Sequence, residues 1–414
     1  MGSKLSKKSS KDPKIENNYK SNNNPHNKYA SKNNQNLDGS INIKSNNEEI
    51  KDNKDTKSIG DIKDNENSKN NKDIEKKNIE ALKKQESNIK NKFSYEFIRN
   101  IATDSLSYGL DDSMVVFKSI DNILYFIYPN RIYSIISYNL IDNKKINEIK
   151  NAHNKYITNI KHYLYEEKNQ DLIISISLNN ILKLWNINNW ECLLNLENVN
   201  YNGDLLSACF LILNKQIYIL TSNCYGSEPI KVFNLNGIKI KEINSQKIKY
   251  IDIYYDKKSS KPYILTGKRG LVESYDYNDN NIYHIYNDNH NDDKTHYSLR
   301  IKNDNNLIKL IESSEDGKIR IWNFHTGELL NKIYISDANL FGICLWKDDY
   351  LLIGCGEKTI KILDIEKSKI IGNMIGHNNV VLALTLVNIP NYGECLISQE
   401  NGEFIKLWKI KLNI

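Results

Sequence analysis

Cysteine is scarce in this chain of 414 residues: there are six, Cys192, Cys209, Cys224, Cys344, Cys355 and Cys395, and no two form a C-x-x-C pair. That spacing argues against a zinc ribbon or a dithiol redox centre and fits reduced, mostly buried thiols of a cytosolic protein. A run of about 18 apolar residues is missing, as is an apolar stretch behind the initiator Met, so the chain is expected to be neither membrane-spanning nor secreted. Signatures of catalysis are missing as well. There is no G-x-S-x-G elbow and no H-E-x-x-H, and the eight histidines pair with no candidate nucleophile. GKRG at residues 267–270 has no Ser or Thr after its Lys and lacks the earlier Gly of a phosphate-binding loop. The expectation is a protein with no catalytic residues, no cofactor and no metal.

Aromatic residues and apolar periodicity are also nearly missing from residues 20–92, which are rich in Asn, Lys, Ser and Asp. Such a composition buries too little surface to offset chain entropy, so residues 1–92 are expected to be a disordered tether. Ile74, Ile79, Leu82 and Ile89 make only a poor helical stripe across residues 73–90. The tail holds 21 Lys and 14 acidic residues, a net charge of +7 against +6 for the whole chain, so residues 93–414 are near −1. Acidic residues dilute the lysines beyond Lys32 and no aromatic stacking pattern accompanies them, so no nucleic-acid partner is expected.

What the tail does contain is its first six residues, MGSKLS. Gly2 behind the initiator Met and Ser6 four positions on match the N-myristoylation pattern. One myristoyl chain binds membranes only marginally, at roughly 10⁴ M⁻¹, so a second signal is needed. Lys4, Lys7, Lys8, Lys11 and Lys14 can supply it, each adding about 1 kcal/mol at an anionic leaflet as an upper figure. Ser6, Ser9 and Ser10 lie among these lysines, and a phosphate on each adds roughly −1.5 to −2 charge. They are therefore candidate phosphosites for release, or else plain spacers.

Beyond residue 92 the apolar pattern begins. Residues 313–324, SSEDGKIRIWNF, read as one strand closed by a tight turn at Asp316 and Gly317 and a second strand returning. In the second strand Ile319 and Ile321 share one face, while Lys318 and Arg320 are expected on the uncovered one. Its ending, an apolar or aromatic anchor followed by a polar and then an apolar residue, occurs seven times, at Tyr138, Trp185, Phe233, Tyr275, Trp322, Leu363 and Trp408. The anchors lie 47, 48, 42, 47, 41 and 45 residues apart, the period of a four-stranded propeller blade. His153, His290 and His377 precede Trp185, Trp322 and Trp408 by 32, 32 and 31 residues. On these residues the chain resembles the WD-repeat family over roughly residues 93–414.

The resemblance implies an all-β, seven-bladed propeller. It also implies a buried hydrogen-bonded set of His, strand hydroxyl, turn Asp and Trp indole, with His290, Ser314, Asp316 and Trp322 as its members in blade five. The other blades depart from that pattern, with Asn179, Arg269 and Glu357 standing where the Asp of blades two, four and six belongs. Residues 93–101 are left over at one end, and the last blade lacks an outer strand, so the two should pair and close the ring. Residues 267–270 then fall at the blade-four hairpin turn; they are also similar to the Arg-Arg-Gly of phosphoinositide-binding propellers, but one Arg replaces two. Asp288, His290, Asp292 and Asp293 could ligate a metal, or form a solvated connection with His290 in its structural role. The functional expectation is a scaffold whose rim loops bind other proteins while the tail binds an anionic membrane at its cytoplasmic face. The alternative is a soluble adaptor such as a ubiquitin-ligase substrate receptor.

Overall fold

A computed structural model describes residues 93–413 except 103–111, 201–203, 225–227, 289–293, 305–306 and 403. The tail, residues 1–92, with Gly2, the five lysines and the three serines, lies outside the described residues, as do His290, Asp292 and Asp293.

Among the described residues, twenty-eight strands make seven four-stranded antiparallel sheets. β1 (Phe93–Ala102) stands apart from the strands that follow it. Blade one is β2 (Val115–Lys118), β3 (Leu124–Pro129), β4 (Ile135–Asn139) and β5 (Lys144–Ile149). Blade two is β6 (Ile157–Tyr165), β7 (Gln170–Ser177), β8 (Ile181–Asn186) and β9 (Glu191–Leu196). Blade three is β10 (Leu205–Leu213), β11 (Gln216–Asn223), β12 (Ile230–Asn234) and β13 (Lys239–Ile243), and blade four is β14 (Ile248–Tyr255), β15 (Pro262–Lys268), β16 (Val272–Asp276) and β17 (Ile282–Tyr286). Blade five is β18 (His296–Asp304), β19 (Leu307–Ser314), β20 (Lys318–Asn323) and β21 (Leu329–Tyr334), and blade six is β22 (Leu340–Trp346), β23 (Tyr350–Cys355), β24 (Ile360–Asp364) and β25 (Lys369–Met374). Blade seven takes β26 (Val381–Ile389), β27 (Gly393–Glu400) and β28 (Ile405–Leu412) and borrows β1 as its outer strand, in the order β1-β28-β27-β26. Among the described residues the helical content is one 3-10 turn at Glu166–Lys168, and no helix is long and apolar enough to cross a membrane.

The closure expected from the leftover end strand is present. Phe93 sits opposite Leu412 and Phe97 opposite Trp408. Phe93 meets Trp346 of blade six edge-on at 5.7 Å, and Phe97 meets Trp408 at 5.3 Å. The core is divided among the seven blade-to-blade interfaces, each with its own apolar cluster, so every blade depends on both neighbours. Trp322, Tyr250, Tyr286 and Phe324 are the fully buried large side chains between blades four and five. Each such ring contributes roughly 1.5–3 kcal/mol by leaving water.

Asp316 and Gly317 make the expected tight turn. Gly317 has φ +75°, and a Cβ there would fall 1.8 Å from the carbonyl oxygen of Ser336, so no other residue fits. Residues 267–270 lie at the hairpin between β15 and β16, whose turn is closed by the Lys268 N–H donating to the Leu271 carbonyl at 3.0 Å. In blades one to six the third and fourth strands slip register immediately before the anchor, at Tyr138, Trp185, Phe233, Tyr275, Trp322 and Leu363. A bulge at that point increases local twist, and it recurs with the repeat. Four of the six cysteines, Cys209, Cys224, Cys355 and Cys395, are buried and all six are unbridged, with Cys192 exposed. Burial pushes the Cys224 and Cys355 thiols up to about 12.

Candidate functional site

Each blade with a Trp anchor places polar side chains on its second and third strands beneath the connection that enters it. In blade two the Trp185 indole N–H donates to Ser175 Oγ at 2.9 Å, and Ser175 meets His153 Nε2 at 2.8 Å. His153 Nδ1 meets Ser177 Oγ at 2.8 Å, and Ser177 donates onward to Asn179 Oδ1. Ser175 accepts from the indole and so keeps its own proton for Nε2, which leaves Nδ1 of a neutral His153 as the donor to Ser177. Burial holds His153 down to about 3 and Lys183 adds to the effect.

Blade seven builds the same set with a carboxylate. Trp408 Nε1 donates to Ser398 Oγ at 2.7 Å, His377 Nε2 lies 2.8 Å from the same oxygen, and His377 Nδ1 lies 2.7 Å from Glu400 Oε2. Glu400 also accepts from the backbone N–H of Asn378 at 3.0 Å and from Lys406 Nζ at 3.3 Å. Burial holds His377 down to about 4, against the pull of Glu400. Burial works against the Glu400 carboxylate too, but His377 and the Asn378 N–H outweigh it and hold its pKa below the ordinary value.

Blade five differs from the expected arrangement. Among the described residues Ser314 Oγ and Trp322 Nε1 have no hydrogen-bond partner, and Asp316 bonds Arg320 and Lys318 instead. His290 lies outside the described residues. The histidine against the strand is His296, whose Nδ1 is 2.9 Å from Glu312 Oε2. The reason lies ten residues before the anchor, where blades two and seven carry Ser175 and Ser398 and blade five carries Glu312, fully buried. Arg320, expected on an uncovered face, is only 3% exposed, and its Nε reaches Asp288 at 2.7 Å, its Nη2 reaches Asp316 at 2.6 Å, and Glu312 lies 3.7 Å away. Lys332 closes on Asp288 at 2.6 Å.

Arg320 belongs to a recurring position that the sequence reading did not use. Two residues before the anchor stand Lys183, Lys231, Arg320, Lys361 and Lys406 in blades two, three, five, six and seven. Lys183 donates to the Ala152 carbonyl at 2.7 Å, Lys231 to Val199 at 2.8 Å and Lys406 to Gly376 at 2.6 Å, each tying the third strand to the connection that enters the blade. Lys361 pairs instead with Glu357 at 3.0 Å, on a carboxylate 40% exposed. Blade four reverses the sign, with Glu273 at this position receiving Lys268. A basic residue at fixed offset in five copies was the available signal.

The inner strands carry one more polar group. Lys161 of blade two pairs with Asp112 at 2.8 Å and lies 3.8 Å from Asp252 of blade four, which accepts from the Tyr250 hydroxyl at 3.1 Å. Arg300 of blade five donates to the same hydroxyl at 2.9 Å. Burial works against the Lys161 ammonium, yet Asp112 and Asp252 outweigh it and hold its pKa above the ordinary value. This arrangement links blades by mutual compensation and offers no nucleophile with a base beside it. Among the described residues, no cluster of three or more His, Cys, Asp or Glu is placed to hold a metal.

What these buried sets leave outside is apolar surface at the rim. Phe97 is 48% and Ile375 63% exposed, and with Tyr95, Phe404 and the edge of Trp408 they line a groove of about 460 Å³ beside the closing strand. A second groove of about 520 Å³, lined in part by Tyr165, Tyr218, Leu235 and Ile240, opens where blades two and three adjoin. Such exposed apolar surface suits protein contacts.

The buried histidines make the fold acid-sensitive. His153 and His377 have pKa values below the ordinary 6.5, so below that pH the unfolded chain takes up protons that the folded chain refuses. Their stabilisation is therefore complete above about pH 6.5 and is lost as the pH falls toward 4 and 3. The lowered carboxylates of Glu400 and Asp316 add a further loss below their unfolded values near pH 4. At pH 5 each histidine is expected to cost about 2 kcal/mol. Thermal melts from pH 7.5 to 5 should show the midpoint falling by several degrees, with a shallower slope in the His153→Asn, His377→Gln double variant; a flat wild-type profile would contradict these assignments.

No family model matches the chain. Among proteins of known name, it is similar to the U3 small nucleolar RNA-associated protein 21 homolog of Schizosaccharomyces pombe, 25% identical over 101 residues, 24% of this chain and 11% of that protein. The matched stretch thus spans about a tenth of that protein and is as long as roughly two blades. A seven-bladed propeller scaffold suited to protein interaction is what the fold and this similarity together give.

Proposed function

We propose that this protein is an interaction platform held at the cytoplasmic face of a membrane, with myristoylated Gly2 and Lys4, Lys7, Lys8, Lys11 and Lys14 as anchor and the propeller rim as the protein-binding surface. The observation that carries the reading is the place of β1. In the sequence the lysine-containing tail, residues 1–92, precedes β1, the strand that closes the ring, so a force that holds the tail is passed by the chain to the whole platform. Recruitment then works by raising the effective concentration of rim-bound proteins at the bilayer.

Two anchoring elements make the expected results separable. Gly2→Ala should move the protein to the soluble fraction, because salt screening weakens the pull of lysines alone on an anionic bilayer. Replacing the five lysines by Gln should weaken binding to anionic vesicles with Gly2 intact. Unchanged fractionation of the Ala variant would sink the anchoring reading, and a wild-type protein already in the soluble fraction would leave a soluble adaptor.

Phosphorylation of Ser6, Ser9 and Ser10 should release the platform. Residues 1–14 carry five Lys against Asp12, a side-chain charge of +4, which two or three phosphates of about −1.5 to −2 each cancel. Myristoylated peptides of residues 1–14, with and without phosphate, can be titrated with anionic vesicles; equal partitioning would remove the switch.

A further inference from the structure

Among the described residues, blade five keeps five polar atoms buried and without a hydrogen-bond partner: both carboxylate oxygens of Glu312, Ser314 Oγ, Trp322 Nε1 and His296 Nδ1. Their residues are 0%, 1%, 1% and 6% exposed, and all four line one cavity of about 10 Å³. His296 Nδ1 lies 2.9 Å from Glu312 Oε2, close enough for an ion pair yet without hydrogen-bond geometry. Buried donors and acceptors in native proteins are nearly always satisfied, and a void of this size holds one water. Gly270, Tyr286, Asn287 and Asp288, on the blade-four side, line it as well, together with Lys294 and Arg320.

Comparison with the sister blades says what is missing. In blades two and seven a serine hydroxyl stands between the indole N–H and the histidine, 2.9 and 2.7 Å from Trp185 and Trp408. In blade five that position is Glu312, and the available hydroxyl, Ser314, is two residues further along the strand. A ligand here must accept one hydrogen bond, from the indole, and donate to a carboxylate. Water does both. An ion is disfavoured by charge, because Glu312, Asp288 and Asp316 are already faced by Arg320, Lys332 and Lys318.

We propose that this cavity is a binding site for a single structural water, which takes the place of the serine hydroxyl and bridges Trp322 Nε1 to Glu312 and Ser314 at the interface of blades four and five. A crystal structure of the full chain at about 1.5 Å or better should show one density peak about 2.7–3.2 Å from Trp322 Nε1 and from at least two of the other orphaned groups. No peak, with Glu312 turned to accept directly from Trp322, would overturn the proposal. So would a peak with oxygen-only contacts near 2.3–2.6 Å, which marks a cation. In the Glu312→Ser variant the new hydroxyl should accept from Trp322 and the peak should vanish; its persistence would count against substitution of water for hydroxyl. Should that variant fail to fold, the wild-type protein still decides the matter in solution. The Trp322 indole proton should show a nuclear Overhauser effect to a long-lived water, and its absence, with the effect seen for other buried waters, overturns the site.

Discussion

A chain lacking residues 1–102 is expected not to fold as a monomer, while a circular permutant that moves residues 93–102 behind residue 414 is expected to fold. Truncation strips the outer strand from blade seven and exposes the edge of β28 along its whole pairing from Ile405 to Leu412. It removes Phe93 from Trp346, Tyr95 and Phe97 from Trp408, and Ile101 and Ala102 from the cluster shared by blades seven and one. Two or three large apolar side chains at roughly 1.5–3 kcal/mol each approach the whole stability of an ordinary domain, about 5–15 kcal/mol. An open edge also invites association. The permutant is feasible because Phe93 is paired with Leu412, so a short turn can join the two ends as a hairpin. Size-exclusion chromatography and thermal melts of the two proteins provide the check. A truncated protein that stays monomeric with an unchanged midpoint would show that β1 does not hold the ring.

Arg320→Met should cost about 3–5 kcal/mol, among the largest single-residue losses in the molecule. It leaves Glu312, Asp288 and Asp316 facing one another in a site from which water is largely excluded, and breaking a buried ion cluster from one side is costly for that reason. Lys332 and Lys318 remain, but each serves one carboxylate and neither is paired with Glu312. The same change at the equivalent position of blade six, Lys361→Met, should cost about 1 kcal/mol or less, because Glu357 is 40% exposed and water takes over. Urea unfolding of the two variants separates the cases. Equal losses would mean that blade five is no more than an ordinary surface pair. Asp316, expected in one buried set with His290, Ser314 and Trp322, bonds Arg320 in this structure, and His290 lies outside the described residues.

The repeat period was legible because it is set by anchors that must be apolar, and because His153 and His377 stand at the distance the buried sets require. Ring closure was legible from the leftover strand at Phe93 facing a blade short of one. Blade five was legible as a hairpin but not as a network. Spacing pointed to His290, which lies outside the described residues; among the described ones the histidine against the strand is His296, and nothing in a single repeat says that Arg320 is buried. Alternation along β20 assigned Arg320 to the outer face, but a blade is covered by neighbours on both faces, so period two does not separate buried from exposed there. Offset-by-offset comparison of the seven copies, rather than alternation within one, carries that information.

The central claim, recruitment of rim-bound proteins to a membrane through Gly2, is tested most directly by proximity labelling in cells from full-length protein and from its Gly2→Ala form at equal abundance. The account predicts that the wild-type protein labels membrane proteins together with a set of soluble partners, and that the Ala form loses the membrane set while keeping the soluble one. The same labelled set from both forms would contradict it.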